Sequence, residues 1–182
     1  MIKDPWRVAA LGVTITRIPT PEIRVLRLRG FDDSVLAALD RCLAVDLPRK
    51  PNDAAGADPR AIGLAPGEWM IVGGGVPSEA LLAAAAGARI AHVADLGEGR
   101  VCYAIAGPRA RDLIAKGCTI DLHPRAFGSS RAVQSALAQV FVLIDRPSDE
   151  PVFHIYAEVS YAQHLDLWFA DAVLEFHSQD AD

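Results

Sequence analysis

The chain contains only three cysteines among its 182 residues, and no two of them form a Cys-x-x-Cys pair. An odd number of widely spaced cysteines predicts free thiols in a reducing compartment rather than disulfides or a zinc site. No uninterrupted apolar run is long enough to span a membrane, and residues 1–6 contain no apolar signal core. We therefore expect no transmembrane helix and no secretion, and we predict a cytoplasmic protein.

Motifs for catalysis and cofactor binding are also missing. The sequence has neither the Gly-x-Ser-x-Gly of a serine hydrolase nor the Gly-x-Gly-x-x-Gly of a dinucleotide site. The glycines at residues 73–75 precede a predicted helix but lack the Lys-Ser/Thr of a P-loop, so we interpret them as a turn. Asp121 and His123 could ligate a metal, although a turn with polar capping is favoured. We therefore predict no catalytic, cofactor-binding or metal-ligating residue in this chain.

Positive and negative charges are unevenly distributed along the chain, so that each sign is scarce in one region. The formal net charge is −5, which argues against a nucleic-acid partner. Residues 100–131 carry six basic and two acidic side chains, a net charge of +4, whereas residues 145–182 carry nine acids and one arginine, a net charge of −8. These regions either attract each other within one fold or remain solvated, or the basic region meets an acidic partner or a polyanionic ligand.

The most informative stretch is residues 107–127, which we call the central segment. It follows an apolar run of strand length at residues 101–106. Gly107 and Pro108 begin a predicted helix, because proline at the first helical position loses no hydrogen bond. Gly117 is predicted to end this helix in a left-handed conformation. The apolar stripe of the helix consists of Ala110, Leu113 and Ile114.

An earlier part of the chain has the same order of elements. Residues 24–29 alternate basic and apolar side chains, which predicts a half-buried strand. Asp32 or Asp33 can cap the helix that follows, and its predicted buried stripe is Val35, Leu36, Leu39 and Leu43. The next predicted elements are a surface loop at residues 48–59, a strand at 69–72, a helix at 79–86 and a strand at 89–94.

A repeated spacing connects these two parts of the chain. Arg24 and Cys42 are 18 positions apart, and so are Arg100 and Cys118. We therefore predict an α+β fold of two antiparallel-sheet halves, residues 1–88 and 89–182, each ordered β-α-β-β-α and packed as one compact unit. The first half gains a strand near residue 90, and an N-terminal strand at residues 10–16 could take the equivalent place in the second half.

The C-terminal part is predicted to be a hairpin followed by a helix. One extended strand is expected at residues 132–144, and residues 152–157 are expected to pair back on it. Ser160 is predicted to cap the last helix, with Gln163 as its capping-box partner. The apolar face of this helix is expected to pack into the core and comprises Tyr161, Leu165, Trp168, Phe169, Ala172, Val173 and Phe176.

The central segment also carries a family resemblance. Residues 107–112 are Gly-Pro-Arg-Ala-Arg-Asp, and residues 116–127 are Lys-Gly-Cys-x-x-Asp-Leu-His-Pro-Arg-Ala-Phe. With Pro-Asn-Asp-Ala at 51–54, Leu-Ala-Pro-Gly-Glu-Trp at 64–69 and the Ser-Tyr-Ala that begins at 160, these motifs resemble the gamma subunit of heterotetrameric sarcosine oxidase. The fold of that family is related to the folate-binding domains of glycine-cleavage aminomethyltransferases. The resemblance therefore implies two ferredoxin-like antiparallel sheets with packed helices.

The resemblance further implies a role within a complex. Such a complex demethylates sarcosine oxidatively to glycine, and its FAD, FMN, NAD and tetrahydrofolate are expected in the partner subunits alpha, beta and delta. No nucleic-acid or membrane partner is expected, and a two-fold homodimer is the expected form of any self-association by the isolated chain. The basic side chains that we predict to contribute to subunit contact are Arg109, Arg111, Lys116 and Arg125.

The chain departs from the aminomethyltransferases at the positions that carry their chemistry. Asp95-Leu96-Gly97 stands where that family has Asp-Val-Ser, and residues 138–143 offer neither its Gly-Gly nor its paired acids. Without such a carboxylate, proton transfer at a folate nitrogen has no agent. We therefore predict a non-catalytic subunit, with Asp95 as a structural turn residue. The alternatives are a free-standing tetrahydrofolate-binding or aminomethyl-transferring protein, and a paralogue with another partner.

Overall fold

A computed structural model describes residues 6–176 and divides the chain into two compact units. The first unit combines residues 6–19 with residues 99–176, and the second unit comprises Thr20–Glu98. This division differs from the predicted halves, residues 1–88 and 89–182, in two places. The break falls after Glu98 because the strand near residue 90 pairs within the second unit, and the N-terminal residues belong to the first unit.

The described residues form eleven strands and four α-helices. In chain order the strands are β1 (Arg7–Ala10), β2 (Val13–Ile18), β3 (Ile23–Arg29), β4 (Ala54–Ala55), β5 (Arg60–Ala65), β6 (Glu68–Val72), β7 (Ile90–Asp95), β8 (Arg100–Ala106), β9 (Ala132–Leu137), β10 (Val140–Asp145) and β11 (Val152–Glu158). The helices are α1 (Asp33–Leu43), α2 (Ser78–Ala84), α3 (Ala110–Ala115) and α4 (Ala162–Ala172). Short 3-10 turns occupy Gly97–Gly99, Val159–Tyr161 and Leu174–Phe176.

The second unit is a five-stranded antiparallel sheet in the order β4-β5-β6-β3-β7, with α1 and α2 against one face. Helix α1 begins where Asp32 Oδ1 accepts hydrogen bonds from the N–H groups of Ser34 and Val35. It ends at Ala44, whose φ of 53° is left-handed. The predicted apolar stripe is buried, and the core of this unit contains Leu26, Leu28, Val35, Leu36, Leu39, Leu43, Leu47, Trp69, Ile71 and Leu81.

The first unit is a six-stranded antiparallel sheet in the order β1-β2-β8-β11-β10-β9, with α3 and α4 packed on it. Its core includes the predicted stripe of α3 and the buried side of α4. Within that core Tyr103 and Phe169 lie with ring centroids 5.1 Å apart, and both side chains are fully buried. Burial of large apolar side chains supplies most of the stability of such a sheet and helix layer.

Both segments of the predicted repeat are a strand followed by a helix. Arg24 to Cys42 spans β3 and α1, and Arg100 to Cys118 spans β8 and α3. Strand β3 lies between β6 and β7, and β8 lies between β11 and β2. Strand β2 therefore takes the place beside β8 that β7 takes beside β3. The strand predicted at residues 10–16 is interrupted, however, by a turn at residues 11–12 that separates β1 from β2. The predicted α+β class with two antiparallel sheets is confirmed.

The strand predicted at residues 132–144 is also wrong. Residues 132–144 form the hairpin of β9 and β10 instead of one extended strand, with Val140 opposite Leu137. Ala138 and Gln139 make the turn with φ values of 52° and 67°. Two consecutive left-handed residues are typical of a tight hairpin turn, and the sequence that usually predicts such a turn is Asn-Gly. Ala-Gln is not such a sequence. The turn was therefore hidden in an apparently continuous strand pattern.

Two predicted helix boundaries also differ. Ser160 does not cap the last helix, because the Val159–Tyr161 3-10 turn precedes α4 and no side chain caps it. Gly117 is not left-handed. It is required for close packing instead, since a Cβ there would lie 2.6 Å from Cζ2 of Trp168 and 3.0 Å from the backbone N of Ala138. Among residues 6–176, none of the helices has the length and hydropathy needed to cross a bilayer.

Candidate functional site

The central segment lies in the first unit as helix α3 and the irregular chain that follows it. Ala110, Leu113 and Ile114 are fully buried and fix α3 against the sheet. Its basic side chains consequently lie on the outer side of the helix and beyond its end. These are the four predicted interface residues, and the structure separates them by what they contact.

Two of the four predicted residues converge on one aromatic ring. The Arg109 guanidinium carbon lies 4.3 Å from the ring centroid of Phe176, and the Lys116 Nζ lies 5.6 Å from it. Phe176 is only 3% exposed. Cations at such distances are attracted by the negative face of an aromatic ring. Arg109 and Lys116 therefore hold the end of the described chain against α3.

Acidic groups complete these contacts. Lys116 Nζ lies 2.8 Å from Glu175 Oε2 and donates a hydrogen bond of 2.8 Å to the Ala172 carbonyl. The hydrogen bond and positive charge of Lys116 hold the pKa of Glu175 below its ordinary value. Arg109 Nε lies 3.5 Å from Asp112 Oδ2. The Lys116–Glu175 pair joins the basic region of the chain to its acidic region. It is therefore an example of the intramolecular attraction that is the alternative to a subunit interface.

Arg111 and Arg125 have different surroundings. The Arg111 guanidinium lies 5.7 Å from the ring centroid of Phe153 and is half-buried. Arg125 is exposed, and its side chain makes no hydrogen bond, ion pair or ring contact with the described residues. The predicted subunit contact through these four residues stays a prediction, but among them only the Arg125 side chain has no partner within residues 6–176.

The residues considered for chemistry take structural positions. Asp95 Oδ1 accepts a hydrogen bond of 3.1 Å from Gly97 N–H, the geometry of a turn in which an aspartate bonds the backbone two residues on. Asp121 Oδ1 accepts in the same way from His123 N–H at 2.8 Å. Within residues 6–176, no group of three or more His, Cys, Asp or Glu side chains could hold a metal ion.

The glycine loop at residues 73–75 does not fit a phosphate-bearing cofactor. Gly73 N–H donates to the Glu22 carbonyl at 2.8 Å, and Gly74 N–H donates to Asp58 Oδ1 at 2.6 Å. A carboxylate thus already occupies the place where a phosphate would be cradled, and it would repel one. The Asp58 carboxylate therefore holds this loop in the shape of a turn.

One polar cluster in the first unit was not found from the sequence. The Tyr103 hydroxyl donates to Asp166 Oδ1 at 2.7 Å, and Asp166 Oδ2 lies 3.1 Å from Arg17 Nη2. Burial, followed by the hydrogen bond to Asp166, raises the pKa of Tyr103, so its hydroxyl stays protonated and acts as a donor. The three residues come from β8, α4 and β2, and no local spacing connects them. The cluster ties these three elements together.

The fold can be compared with that of solved structures. Aminomethyltransferase T of the glycine cleavage system from Bartonella henselae matches with a TM-score of 0.60 at 18% identity, over 87% of this chain and 45% of that chain. At this identity the likeness concerns the fold alone. The fold of this chain thus resembles part of the fold of that protein, as the family resemblance implied.

A second solved structure with a similar fold is a chain of a complex of several subunits. A chain of the heterotetrameric sarcosine oxidase from Corynebacterium sp. U-96, solved in complex with pyrrole 2-carboxylate, matches with a TM-score of 0.84 at 28% identity. The match covers 96% of this chain and 90% of that chain. The model of the sarcosine oxidase, gamma subunit family matches residues 28–175. The chain belongs to this sarcosine oxidase gamma subunit family.

Curated relatives agree with the family. The sarcosine oxidase subunit gamma of an Arthrobacter species is 35% identical over 147 residues, which cover 78% of this chain and 71% of the relative. The subunit gamma of Corynebacterium sp. strain P-1 is 33% identical over 146 residues, which cover 79% of this chain and 71% of the relative. The family identification made from the central segment is therefore confirmed.

Proposed function

We propose that this chain is a non-catalytic gamma subunit of a heterotetrameric sarcosine oxidase assembly, with alpha, beta and delta subunits as its partners. The assembly would convert sarcosine to glycine by oxidative demethylation. The observation that carries the proposal is the match of nearly the whole chain, in both sequence and fold, to a chain of such a heterotetramer.

The cofactors of the reaction would reside in the partner subunits. The turn at residues 73–75 is stapled by Asp58, and the Asp95 carboxylate is engaged with Gly97 N–H. The Gly73 and Gly74 N–H groups that could cradle a phosphate are already used within the chain, and the Asp95 carboxylate has a turn-forming hydrogen bond to support. FAD, FMN, NAD and tetrahydrofolate are therefore assigned to the partners in this proposal, and this chain contributes to assembly.

Exposed apolar side chains of the first unit support a role in assembly. Phe141 and Leu167 are each 66% exposed, and Leu174 is 60% exposed. Leu167 and Leu174 are seven residues apart and so share one side of α4 and its 3-10 extension. Surfaces that are buried in permanent complexes resemble a domain core more than ordinary surface does.

The test is co-purification of the tagged chain from the source cell, followed by identification of every co-eluting protein. We expect three further oxidoreductase subunits in stoichiometric amounts. The complex should show flavin absorbance, and the separated chain should show none. A pure chain that turns over sarcosine to peroxide, or that carries flavin alone, would contradict the proposal. Titration of the pure chain with tetrahydrofolate separates it from a free-standing folate-binding protein, which would bind the folate without partners.

A further inference from the structure

The loop of residues 121–127 has a fixed shape although it contains no helix or strand. The His123 carbonyl accepts two backbone hydrogen bonds of 2.8 Å, from the N–H groups of Ala126 and Phe127. The Asp121 side chain accepts the N–H of His123. A partner that docks here would not have to order the loop, which removes one of the entropic costs of association.

Buried side chains anchor both ends of the 121–127 loop. Leu122 and Phe127 belong to the core of the first unit. The Phe127 ring stacks on Phe153 with an interplanar angle of 25° and centroids 6.4 Å apart. The buried Arg146 donates from Nη1 to the Phe127 carbonyl at 2.9 Å. The loop is therefore supported by the core beneath it rather than by its exposed side chains.

The exposed side chains of the loop carry hydrogen-bond donors that have no acceptor among the described residues. His123 Nδ1 accepts the Arg125 N–H at 3.3 Å, which places the remaining proton of the neutral ring on Nε2. Within residues 6–176, neither this Nε2 nor the Arg125 guanidinium has a hydrogen-bond or ion-pair partner. Both residues are exposed, together with Pro124 between them. Two unused donor groups thus stand on a rigid support.

The other predicted interface residues are not equally available. Arg109 and Lys116 contact Phe176, and Lys116 is also paired with Glu175. Arg111 lies over Phe153. A partner would have to break these contacts to engage the three side chains, whereas the Arg125 side chain has no such contact with residues 6–176.

We infer that the 121–127 loop is a docking element for an acidic segment of a partner subunit, with Arg125 and His123 Nε2–H as donors to its carboxylates. This inference rests on the proposed function and assigns one polar contact with the partner to this loop, in addition to the exposed apolar side chains described above. The chemistry is specific, because a guanidinium can bind a carboxylate through two parallel N–H groups. Arg125 is accordingly a subunit-contact residue, and Arg109, Arg111 and Lys116 stabilise the first unit.

The first experiment measures binding of the full chain to the complex of the remaining subunits. Arg125→Gln should weaken binding by about tenfold or more, the scale of a lost charge-assisted hydrogen bond. The affinity of Arg125→Lys should lie between those of wild type and Arg125→Gln, because an ammonium group keeps the positive charge but lacks the two parallel N–H groups of a guanidinium. The matched control is Arg41→Gln, which removes an exposed arginine without side-chain partners among the described residues of the second unit.

The second experiment identifies what faces the loop. A photo-crosslinking amino acid at Ala126, which is exposed beside Arg125, should crosslink to an Asp- or Glu-containing peptide of a partner subunit. The same crosslinker at the exposed Ala86 of the second unit is the control. A crosslink between two copies of this chain, or the absence of any crosslink from Ala126, would overturn the inference.

Failure of this inference differs from failure of the proposed function. If the chain assembles with partner subunits and Arg125→Gln binds within about twofold of wild type, the docking loop is refuted and the subunit assignment stands. If the wild-type chain does not assemble with any such subunit, the assignment itself fails and the docking inference fails with it. Melting temperatures of the variants, measured beside binding, show whether a weaker interaction reflects unfolding.

Discussion

The two units of the chain are built on one plan and completed in two ways. In the second unit, β3 lies between β6 and β7, and β7 follows α2 directly in the sequence. In the first unit, β8 lies between β11 and β2, and β2 comes from the start of the chain. A place in a sheet is thus filled by any strand with a suitable backbone and pattern, whether or not it is the next one along the chain.

The helices after the two central strands differ in how they are stabilised. Helix α1 has 11 residues, an Asp32 cap and a left-handed end at Ala44. Helix α3 has only six residues and no side-chain cap. A helix that short is marginal by itself and depends on tertiary contacts, which here include Lys116 to Ala172 and Glu175. The second unit therefore relies more on local signals and the first more on long-range contacts.

The largest expected difference concerns the glycine that ends each central strand. Gly107 after β8 has φ +116°, and a Cβ there would lie 2.9 Å from the carbonyl carbon of Gly12, which is backbone. Gly30 after β3 has φ +60°, and a Cβ would lie 3.0 Å from Cβ of Arg89. Gly107→Ala should cost about 3 kcal/mol or more, and Gly30→Ala about 1–2 kcal/mol. Equal losses in urea unfolding would contradict this ranking.

The next prediction tests the long-range contacts of the first unit. The double variant Arg109→Glu/Lys116→Glu removes both cations from the Phe176 ring and should cost about 1–2 kcal/mol of stability. Thermal unfolding of the isolated chain measures it. Arg41→Glu/Arg125→Glu makes the same charge change at side chains without partners among residues 6–176 and should leave the melting temperature nearly unchanged. A greater loss in this control would show that net charge dominates.

A smaller effect is expected at the cap of α1. Asp32→Ala removes the acceptor of the Ser34 and Val35 N–H groups and should lower the melting temperature by a few degrees, whereas Asp32→Asn should retain most of the cap. The Ser34 hydroxyl, followed by the backbone N–H groups of Val35 and Ser34, holds the pKa of Asp32 below 3.8.

The pH dependence of that cap has a definite sign. Because the folded pKa of Asp32 is lowered, its charge-dependent contribution is complete above the unfolded value of 3.8 and is lost as the pH falls through the folded value. The difference in melting temperature between wild type and Asp32→Ala should therefore shrink below that range. A difference that is constant with pH would show that the charge does not matter.

The smallest effect is expected at the end of β7. Asp95→Asn retains an oxygen that can accept the Gly97 N–H, so the stability of the chain should change little. The activity of the reconstituted complex should stay within a few-fold of that of wild type. Sarcosine-dependent peroxide formation by the assembled complex is the measurement. A loss of about 100-fold or more, as for a removed acid–base group, would assign chemistry to Asp95.

The sequence nominates the central segment as the candidate site, but it does not predict the contacts that its side chains make. The density of basic residues singled out the central segment, and its motifs identified the family. Nothing in the spacing distinguished Arg125 from Arg109, Arg111 or Lys116, since all four are basic residues within one stretch. The distinction depends on Phe153, Glu175 and Phe176, which are distant in sequence and arrive beside α3 only through folding.

The sequence by itself determined the two strand–helix units, the stripe of α1 and the Asp32 cap, because periodicity and capping act over a few neighbouring residues. Tertiary structure alone decided the turn at Ala138 and Gln139 and the need for glycine at position 117. Both depend on backbone and rings from distant parts of the chain: the Ala138 N–H donates to the Gly117 carbonyl, and Trp168 closes over Gly117. Such contacts leave no periodic trace, since each joins two residues that are far apart in the sequence.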